Sequence, residues 1–327
     1  MKIPTTTRRI FSLLAAFLTL AFCIAVGLAS QPADAGQAPF SSTAAQWLPL
    51  ILRSFPSTPT ATHSPGLVPA FDHIFIIVEE NHPYSRIIGD ASAPYLNSLA
   101  NQYGLATNYF AITRPSLPNY LTLTGADTFG ITNDCTTCFV NAPNIVDRLE
   151  SAGKSWKAYM ESMPSACFVG DSGTLYRQKH NPFIYYDDVR TNPTRCNKIV
   201  PYSRLAGDLA QTSTTPNYVW ITPNMCNDMH DCSVSTGDTW LKNNLPTIFN
   251  SPAWTTQNSL LLITWDEGSS TDYQVATLVI GSAVIPGVKS SVGYNHYSLL
   301  KTVEAAWGLS PLTANDAGAT PFNDFWR

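Results

Sequence analysis

Residues 74–82 read IFIIVEENH, an unbroken apolar run that ends on two acids, an amide and a histidine. A stretch of the same kind, LLLITWDEG, occupies residues 260–268. A short continuous apolar run is typical of a β-strand that is buried on both faces of a sheet. Polar groups at the carboxyl ends of such strands lie where open α/β sheets bind their ligands. We therefore expect the acids of the two stretches to meet at one edge of one sheet.

Acids that meet in this way need a compensating group. Like charges brought close together repel each other unless a cation or protons lie between them. The two stretches are therefore the first indication of a metal site.

Strand-like and helix-like segments alternate from about residue 70 onward. The apolar patterns predict strands at residues 74–78, 156–160, 218–222, 260–265 and 275–280. They predict helices at residues 94–103, 145–152, 240–249 and 297–307. Residues 161–217 have the composition of loops, which suits insertions over a site. This alternation predicts an α/β fold, a three-layer sandwich with a largely parallel central sheet and helices on both faces.

The composition is that of a globular protein. The chain has 327 residues, of which 44% are hydrophobic and 13% are charged. Such a chain can bury a large core, so a disordered protein is excluded. The formal net charge of −4 argues against a nucleic-acid partner, which usually requires a basic surface.

The first 35 residues have the features of an export signal. Three basic residues precede an apolar stretch at residues 10–28, and the sequence ADA at residues 33–35 offers a cleavage site. The cleavage site favours a signal peptide over a membrane anchor. The sequence TRRIF at residues 7–11 also resembles a twin-arginine signal, and it fits an ordinary secretory signal equally well. Both alternatives predict a secreted or cell-surface protein.

Two further parts follow the predicted signal. Residues 36–66 are rich in Ser, Thr, Pro and Ala, which is typical of a linker. Residues 67–327 contain the alternating strands and helices and are predicted to form the folded domain.

Six cysteines follow the predicted signal. An even number in an exported protein favours disulfides. Their neighbourhood in the sequence favours the pairs Cys135–Cys138, Cys167–Cys196 and Cys226–Cys232. The alternative is a zinc site that includes Cys135 and Cys138, but the sequence has no second C-x-x-C pair to complete it.

The sequence RPSLPNY at residues 114–120 contains a candidate nucleophile. Pro118 suits the first turn of a helix, which places Ser116 at or just before the amino end. Free N–H groups and the helix dipole favour anions there. A serine in this place becomes a nucleophile if a bound cation lowers its pKa. Taken alone, a serine before a helix is more often an N-cap.

Three histidines lie in other polar segments. His230 belongs to PNMCNDMHDC at residues 223–232, after a predicted strand and inside the loop that Cys226 and Cys232 would close. His180 belongs to KHNPF at residues 179–183, and His296 precedes the predicted helix at residues 297–307. A single histidine is more often structural than catalytic, so each needs a second argument.

These motifs together, in this order, resemble those of a known family. The strand followed by Glu-Asn-His, and then the segments RPSLPNY, KHNPF, PNMCNDMHD, DEG and NHYSLL, resemble the phosphoesterase family of secreted acid phosphatases and phospholipase-C-type enzymes. That family belongs to the alkaline-phosphatase-like superfamily. The resemblance runs from about residue 71 to residue 309. It implies an alkaline-phosphatase-like fold and a metal-dependent hydrolase of phosphate esters with a serine nucleophile.

The resemblance also implies roles for individual residues. It implies a metal site of five oxygen donors: Glu80, Asn81, Ser116, Asp266 and Glu267. Such donors favour Mg²⁺, Ca²⁺ or Mn²⁺ over zinc. It implies three catalytic residues: the nucleophile Ser116, and His180 and His230, which contact the phosphoryl group or protonate the leaving oxygen. It implies substrate contacts from Asn81, His296 and Arg114, although many relatives have histidine where Arg114 stands.

The predicted function is a secreted acid phosphatase that hydrolyses phosphomonoesters through a phosphoserine intermediate. A histidine that acts as general acid favours activity below neutral pH. The first alternative is a phospholipase-C-type phosphodiesterase, and the second is a catalytically inactive surface binding protein. The expected partner is a small phosphate ester, with a phospholipid as the other candidate, and the sequence implies no stable protein partner.

Overall fold

The computed structural model describes residues 67–327. Strands and helices alternate along this part of the chain. The strands are β1 (His73–Glu79), β2 (Gly104–Ala106), β3 (Tyr109–Phe110), β4 (Trp156–Met160), β5 (Ile199–Pro201), β6 (Tyr218–Thr222), β7 (Ser259–Trp265), β8 (Thr277–Gly281), β9 (Lys289–Ser290) and β10 (Tyr294–Asn295). The helices are α1 (Pro94–Gln102), α2 (Ser116–Gly125), α3 (Ile145–Ser151), α4 (Asp187–Arg190), α5 (Pro193–Cys196), α6 (Leu205–Asp208), α7 (Val234–Phe249), α8 (Pro252–Thr256), α9 (His296–Trp307) and α10 (Ala314–Ala317). Short 3-10 helices occur at Tyr84–Arg86, Gln178–His180, Pro182–Tyr185 and Tyr202–Arg204.

The central sheet is mostly parallel. Its eight strands follow the order β5-β4-β6-β1-β7-β8-β2-β9. β1 is parallel to both of its neighbours, β6 and β7. β8 runs antiparallel to β7 and β2. This confirms the predicted α/β fold with a largely parallel sheet, to which β8 is the exception.

Both faces of the sheet are covered. Every residue of β1, β6, β7 and β8 is buried. The main helices pack in two groups: α1 and α8 contact α7, while α2 and α10 contact α9. A sheet with helices on both faces is the three-layer arrangement that the sequence predicts.

Local signals set several helix ends. α9 begins with a capping box between Asn295 and Ser298, and it ends at Gly308, whose φ of 63° is left-handed. α7 begins six residues before the predicted start, because the Ser233 side chain accepts a hydrogen bond from the Thr236 N–H and caps the helix there. The segment predicted to be a loop contains β5, which pairs with β4.

The structure contains the three predicted disulfides, Cys135–Cys138, Cys167–Cys196 and Cys226–Cys232. The predicted signal peptide at residues 1–35 and the predicted linker at residues 36–66 lie outside the described residues. Across the described part of the chain, none of the helices has the length and apolar character needed to cross a bilayer.

Candidate active site

The two acid-ended strands lie side by side. β1 and β7 pair in parallel register, with Glu79 opposite Trp265, so the polar residues that follow leave the sheet together. The Asp266 N–H donates to the Glu79 carbonyl at 3.0 Å. The Asn81 N–H donates to Asp266 Oδ1 at 3.2 Å. The structure therefore brings the acids of the two stretches to one edge, as we expected.

Helix α2 brings a hydroxyl to the same edge. Ser116 is the first residue of α2 and is buried. Its Oγ donates to Glu80 Oε2 at 3.2 Å. Tyr120, one turn later, donates to Glu80 Oε1 at 2.6 Å. Glu80 thus joins the end of β1 to the first turn of α2.

Two of the three histidines lie next to Glu80. His180 Nε2 is 3.2 Å from Glu80 Oε1, and the ring stacks on Tyr120 with centroids 5.4 Å apart. The His230 ring lies 5.6 Å from the His180 ring. Glu80, His180 and His230 each offer a ligand atom, and these atoms all lie within 4.8 Å of one another. This cluster fits a divalent metal ion.

The loop that carries His230 is held on several sides. The Asp228 Oδ1 accepts from the His230 N–H at 2.8 Å, while its Oδ2 lies 3.3 Å from His180 Nδ1. The Glu80 N–H donates to the Asp228 carbonyl at 2.8 Å. Glu161, at the end of β4, accepts from the Asn224 N–H at 2.9 Å and from the Asn227 amide. The position of His230 is therefore fixed by the fold.

Besides Asp228 Oδ2 and both carboxylate oxygens of Glu79, three oxygens of the predicted metal ligands are buried without a hydrogen-bond partner among residues 67–327. They are Asn81 Oδ1, Asp266 Oδ2 and Glu267 Oε2. Leaving a buried acceptor unpaired costs about 1–3 kcal/mol, and more when the acceptor is charged. Hard oxygen donors of this kind are the ligands that Mg²⁺ and Ca²⁺ prefer. The chemistry of these donors therefore fits a divalent cation.

Burial opposes ionisation of these acids. Burial, and then the nearby Asp266, raises the pKa of Glu80 well above its usual range. Burial raises the pKa of Asp266 to about 6. Burial, and then Asp266, raises the pKa of Glu267 to about 8. A bound cation would reverse this effect, because it favours the ionised form of each carboxyl.

The two histidines of the cluster are biased toward their neutral forms. Burial, and then the charge of Lys179, lowers the pKa of His180 well below its usual range. Burial also lowers the pKa of His230, although its hydrogen bond to Asp231 opposes the shift. Both imidazoles therefore gain protons only as the pH falls.

Two cations border the acids. Arg114 Nη2 is 3.2 Å from Glu267 Oε1, and Arg114 Nη1 donates to the Gly268 carbonyl at 3.0 Å. Lys179 Nζ donates to Asp134 Oδ2 at 3.0 Å and lies 3.3 Å from His230 Nε2. Arg114 is thus next to the predicted metal ligands, as a substrate contact requires.

Four residues of the site were not predicted to have a role. They are Tyr120, Asp134, Lys179 and Asp228. Tyr120, Lys179 and Asp228 lie inside motifs that also contain predicted site residues. Their positions in those motifs could therefore have indicated a role. Asp134 belongs to a loop outside those motifs, and only the fold brings it close.

His296 occupies a different place from the substrate contact that the resemblance implied. The residue is fully buried, and burial lowers its pKa to about 4. Its Nε2 donates to the Asp266 carbonyl at 2.6 Å, and its Nδ1 accepts from the Tyr109 hydroxyl at 2.9 Å. Since both nitrogens are engaged, the geometry favours a role in holding Asp266.

Solved structures of the alkaline phosphatase superfamily have a similar fold. The fold is similar to a protein of that superfamily from Vibrio parahaemolyticus, with a TM-score of 0.55, 12% identity, and coverage of 79% of this chain and 71% of that one. Residues 90–310 match the model of the phosphoesterase family. The chain belongs to the phosphoesterase family.

Curated relatives carry phosphatase names. The chain is 38% identical over 265 residues to a phosphatidylinositol-3-phosphatase of Mycobacterium tuberculosis, covering 79% of this chain and 84% of the relative. It is 36% identical over 266 residues to a probable acid phosphatase of Kluyveromyces lactis, covering 76% of this chain and 61% of the relative. It therefore spans about three fifths of that fungal relative. Together with the family match, these relatives identify a phosphoric ester hydrolase.

Proposed function

We propose that this chain is a secreted, metal-dependent acid phosphatase that hydrolyses phosphomonoesters through a phosphoserine at Ser116. The observation that carries the proposal is the meeting of Ser116 and Glu80 with three unpaired buried oxygens at one sheet edge. The predicted signal peptide and the three disulfides support secretion, because disulfides persist in oxidising compartments.

We assign the cation to the oxygen donors Glu80, Asn81, Ser116, Asp266 and Glu267, with Mg²⁺, Ca²⁺ or Mn²⁺ as the ion. When bound, the cation would lower the pKa of Ser116 and offset the charge of the phosphoryl group. The alternative site is the cluster of Glu80, His180 and His230. Its two nitrogen donors would favour a transition metal instead.

The side chains of the site suit a displacement in two steps. The Ser116 Oγ would attack phosphorus as its proton passes to Glu80 Oε2, its present acceptor. The bond between phosphorus and the ester oxygen would break, and the departing oxygen would take a proton from an imidazolium. Water would then attack the phosphoserine, release phosphate and restore the Ser116 hydroxyl.

Of the two histidines, His230 suits the general acid. Its side chain is 23% exposed, whereas His180 is 4% exposed and lies between two carboxylates. We assign His180 to hold the phosphoryl group and His230 to protonate the leaving oxygen. Because burial lowers the pKa of His230, its acid form is populated at acidic pH, which supports an acid phosphatase.

The test is Ser116→Ala with a trapping experiment. We expect phosphate release to fall about 10³-fold or more, as is usual when a nucleophilic serine is lost. Wild-type enzyme quenched with acid during turnover should carry phosphate on the peptide that contains Ser116. Thr122→Ala is the control, since that hydroxyl lies on the same helix and donates to the Asn119 carbonyl. Phosphate on another residue, or full turnover in Ser116→Ala, would refute the assignment.

A phosphorylated lipid is the second candidate substrate. The name of the Mycobacterium tuberculosis relative, a phosphatidylinositol-3-phosphatase, favours it. Rates on p-nitrophenyl phosphate, bis-p-nitrophenyl phosphate and phosphatidylinositol 3-phosphate separate the alternatives. A preference for the diester would favour the phosphodiesterase over the phosphatase.

A further inference from the structure

Lys179 is tied to the helix that begins with the candidate nucleophile. Its Nζ donates to Asp134 Oδ2 at 3.0 Å. The other oxygen of Asp134 accepts from the N–H of Leu117, the residue after Ser116, also at 3.0 Å. Asp134 therefore holds the ammonium group beside the amino end of α2, where the serine hydroxyl lies.

The ammonium group also lies near the acids of the site. It is 3.3 Å from His230 Nε2, and its charge acts on Glu80, Asp228 and Glu267, which come from three separate segments. The side chain is 17% exposed, so the charge is only partly screened by water. An ammonium has three N–H donors, and the hydrogen bond to Asp134 uses one of them.

The position of the Lys179 ammonium matters because phosphate monoesters and diesters differ in charge. A phosphomonoester has a second pKa near 6, so at pH 7 it carries close to two negative charges, whereas a diester carries one. Carboxylates outnumber cationic side chains around Ser116. A diester needs one cationic group to compensate its single negative charge. A monoester needs a second cationic group for its additional charge.

We propose that Lys179 is a specificity-determining residue, whose ammonium contacts the extra anionic oxygen of a phosphomonoester and so selects monoesters over diesters. The inference rests on the proposed function and deepens it, because it names the group that distinguishes the two substrate classes. Asp134 is the positioning residue that orients Lys179.

The test compares two substrates in Lys179→Met. We expect kcat/KM at pH 7 to fall about 10- to 100-fold for p-nitrophenyl phosphate, and less than threefold for bis-p-nitrophenyl phosphate, since a charged hydrogen bond contributes about 1.5–3 kcal/mol. Inhibition by inorganic phosphate should weaken about tenfold. The loss on the monoester should shrink as the pH falls below the second pKa of the substrate, because the monoester then carries a single charge.

The matched control is Lys157→Met. Lys157 pairs with Asp208 at 2.8 Å and is similarly exposed, but it belongs to β4, and that ion pair lies outside the site described above. It should leave the substrate ratio unchanged. Lys179→Arg keeps the charge and should keep the ratio within about threefold.

Two outcomes would overturn the proposal. The first is an equal loss on both substrates in Lys179→Met, and the second is a ratio that falls as far in Lys179→Arg as in Lys179→Met. If Lys179→Met does not fold, Lys179→Gln, which also removes the charge, takes its place in the same comparison. Failure of the proposed function would show separately, as a wild-type enzyme that releases no phosphate from the monoester.

Discussion

Two places in this molecule bury acids together, and they satisfy them differently. Where α9 meets α10, Asp316 accepts hydrogen bonds from the N–H groups of Leu312 at 2.6 Å and Thr313 at 2.7 Å. Burial, and then the hydrogen bond with Asp316, raises the pKa of Glu304 to about 8. Glu304 therefore keeps a proton at neutral pH and adds no second charge beside Asp316, although its Oε1 has no hydrogen-bond partner among the described residues.

At the carboxyl ends of β1 and β7, Asp266 and Glu267 each have a partner for only one carboxylate oxygen. Asp266 and Glu267 keep buried oxygens without a donor in the described chain, beside the Ser116 hydroxyl. Burial and a raised pKa are common to both places, so neither identifies a functional site. The difference is that unpaired oxygens from several segments meet next to a nucleophile.

The largest expected effect is on activity. Asp266→Asn should lower kcat/KM for a phosphomonoester about 10²- to 10³-fold, because the site loses a ligand and its compensating charge. Glu304→Gln should leave activity within about twofold, since Glu304 lies outside the candidate active site. Steady-state kinetics on folded proteins measures both. An equal loss of kcat/KM in Asp266→Asn and Glu304→Gln would show that the two places do not differ in function.

The next effect is the response to metal. An ion at 100 times its dissociation constant adds about 2.7 kcal/mol of stability, which raises the Tm of a domain of this size by about 5 °C. Chelation should therefore lower the Tm of wild type and of Glu304→Gln alike, as followed by circular dichroism. Asp266→Asn should show no response.

The same melting series distinguishes the two ligand sets. If the cation binds the oxygen donors, His230→Ala should keep its response to chelation. A response that disappears in His230→Ala but survives in Asn81→Ala would move the ion to the cluster of Glu80 and the two histidines.

The smallest effect is on stability and involves only the α9–α10 pair. Because the folded pKa of Glu304 is raised, its contribution is complete below its unfolded pKa of about 4.5 and is lost as the pH rises toward 8. Glu304→Gln removes this dependence. Relative to wild type, its free energy of unfolding should therefore rise between pH 4.5 and 8 by about 2 kcal/mol, roughly half of what the full pKa shift would give, because solvent screens the group. Urea titrations of both proteins at the two pH values measure this change. A difference in free energy of unfolding that is the same at both pH values would contradict the prediction.

Much of the fold could be predicted because its signals are local. The apolar runs of β1 and β7 and the glycine after α9 act within a few residues. The loop-like composition of residues 161–217 hid β5, whose pairing with β4 depends on distant contacts. The parallel ends of β1 and β7 made the meeting of Glu80 with Asp266 predictable.

The rest of the site depends on tertiary contacts. The link from Lys179 through Asp134 to α2 joins loops that are 45 residues apart, and no spacing indicates it. The family resemblance implied that His296 contacts the substrate. Its burial and its bond to the Asp266 carbonyl follow from packing, which the sequence pattern does not report.

The position of β1 between β6 and β7 also determines when the site can form during translation. Asn81 and Asp266, which are hydrogen-bonded across the site, are separated by 185 residues. In a growing chain, β6 can pair with both β1 and β4 well before β7 leaves the ribosome, yet this sheet would lack half of the acids. We therefore expect a nascent chain to be inactive until β7 is complete, so that phosphatase activity reports one of the last steps of its folding.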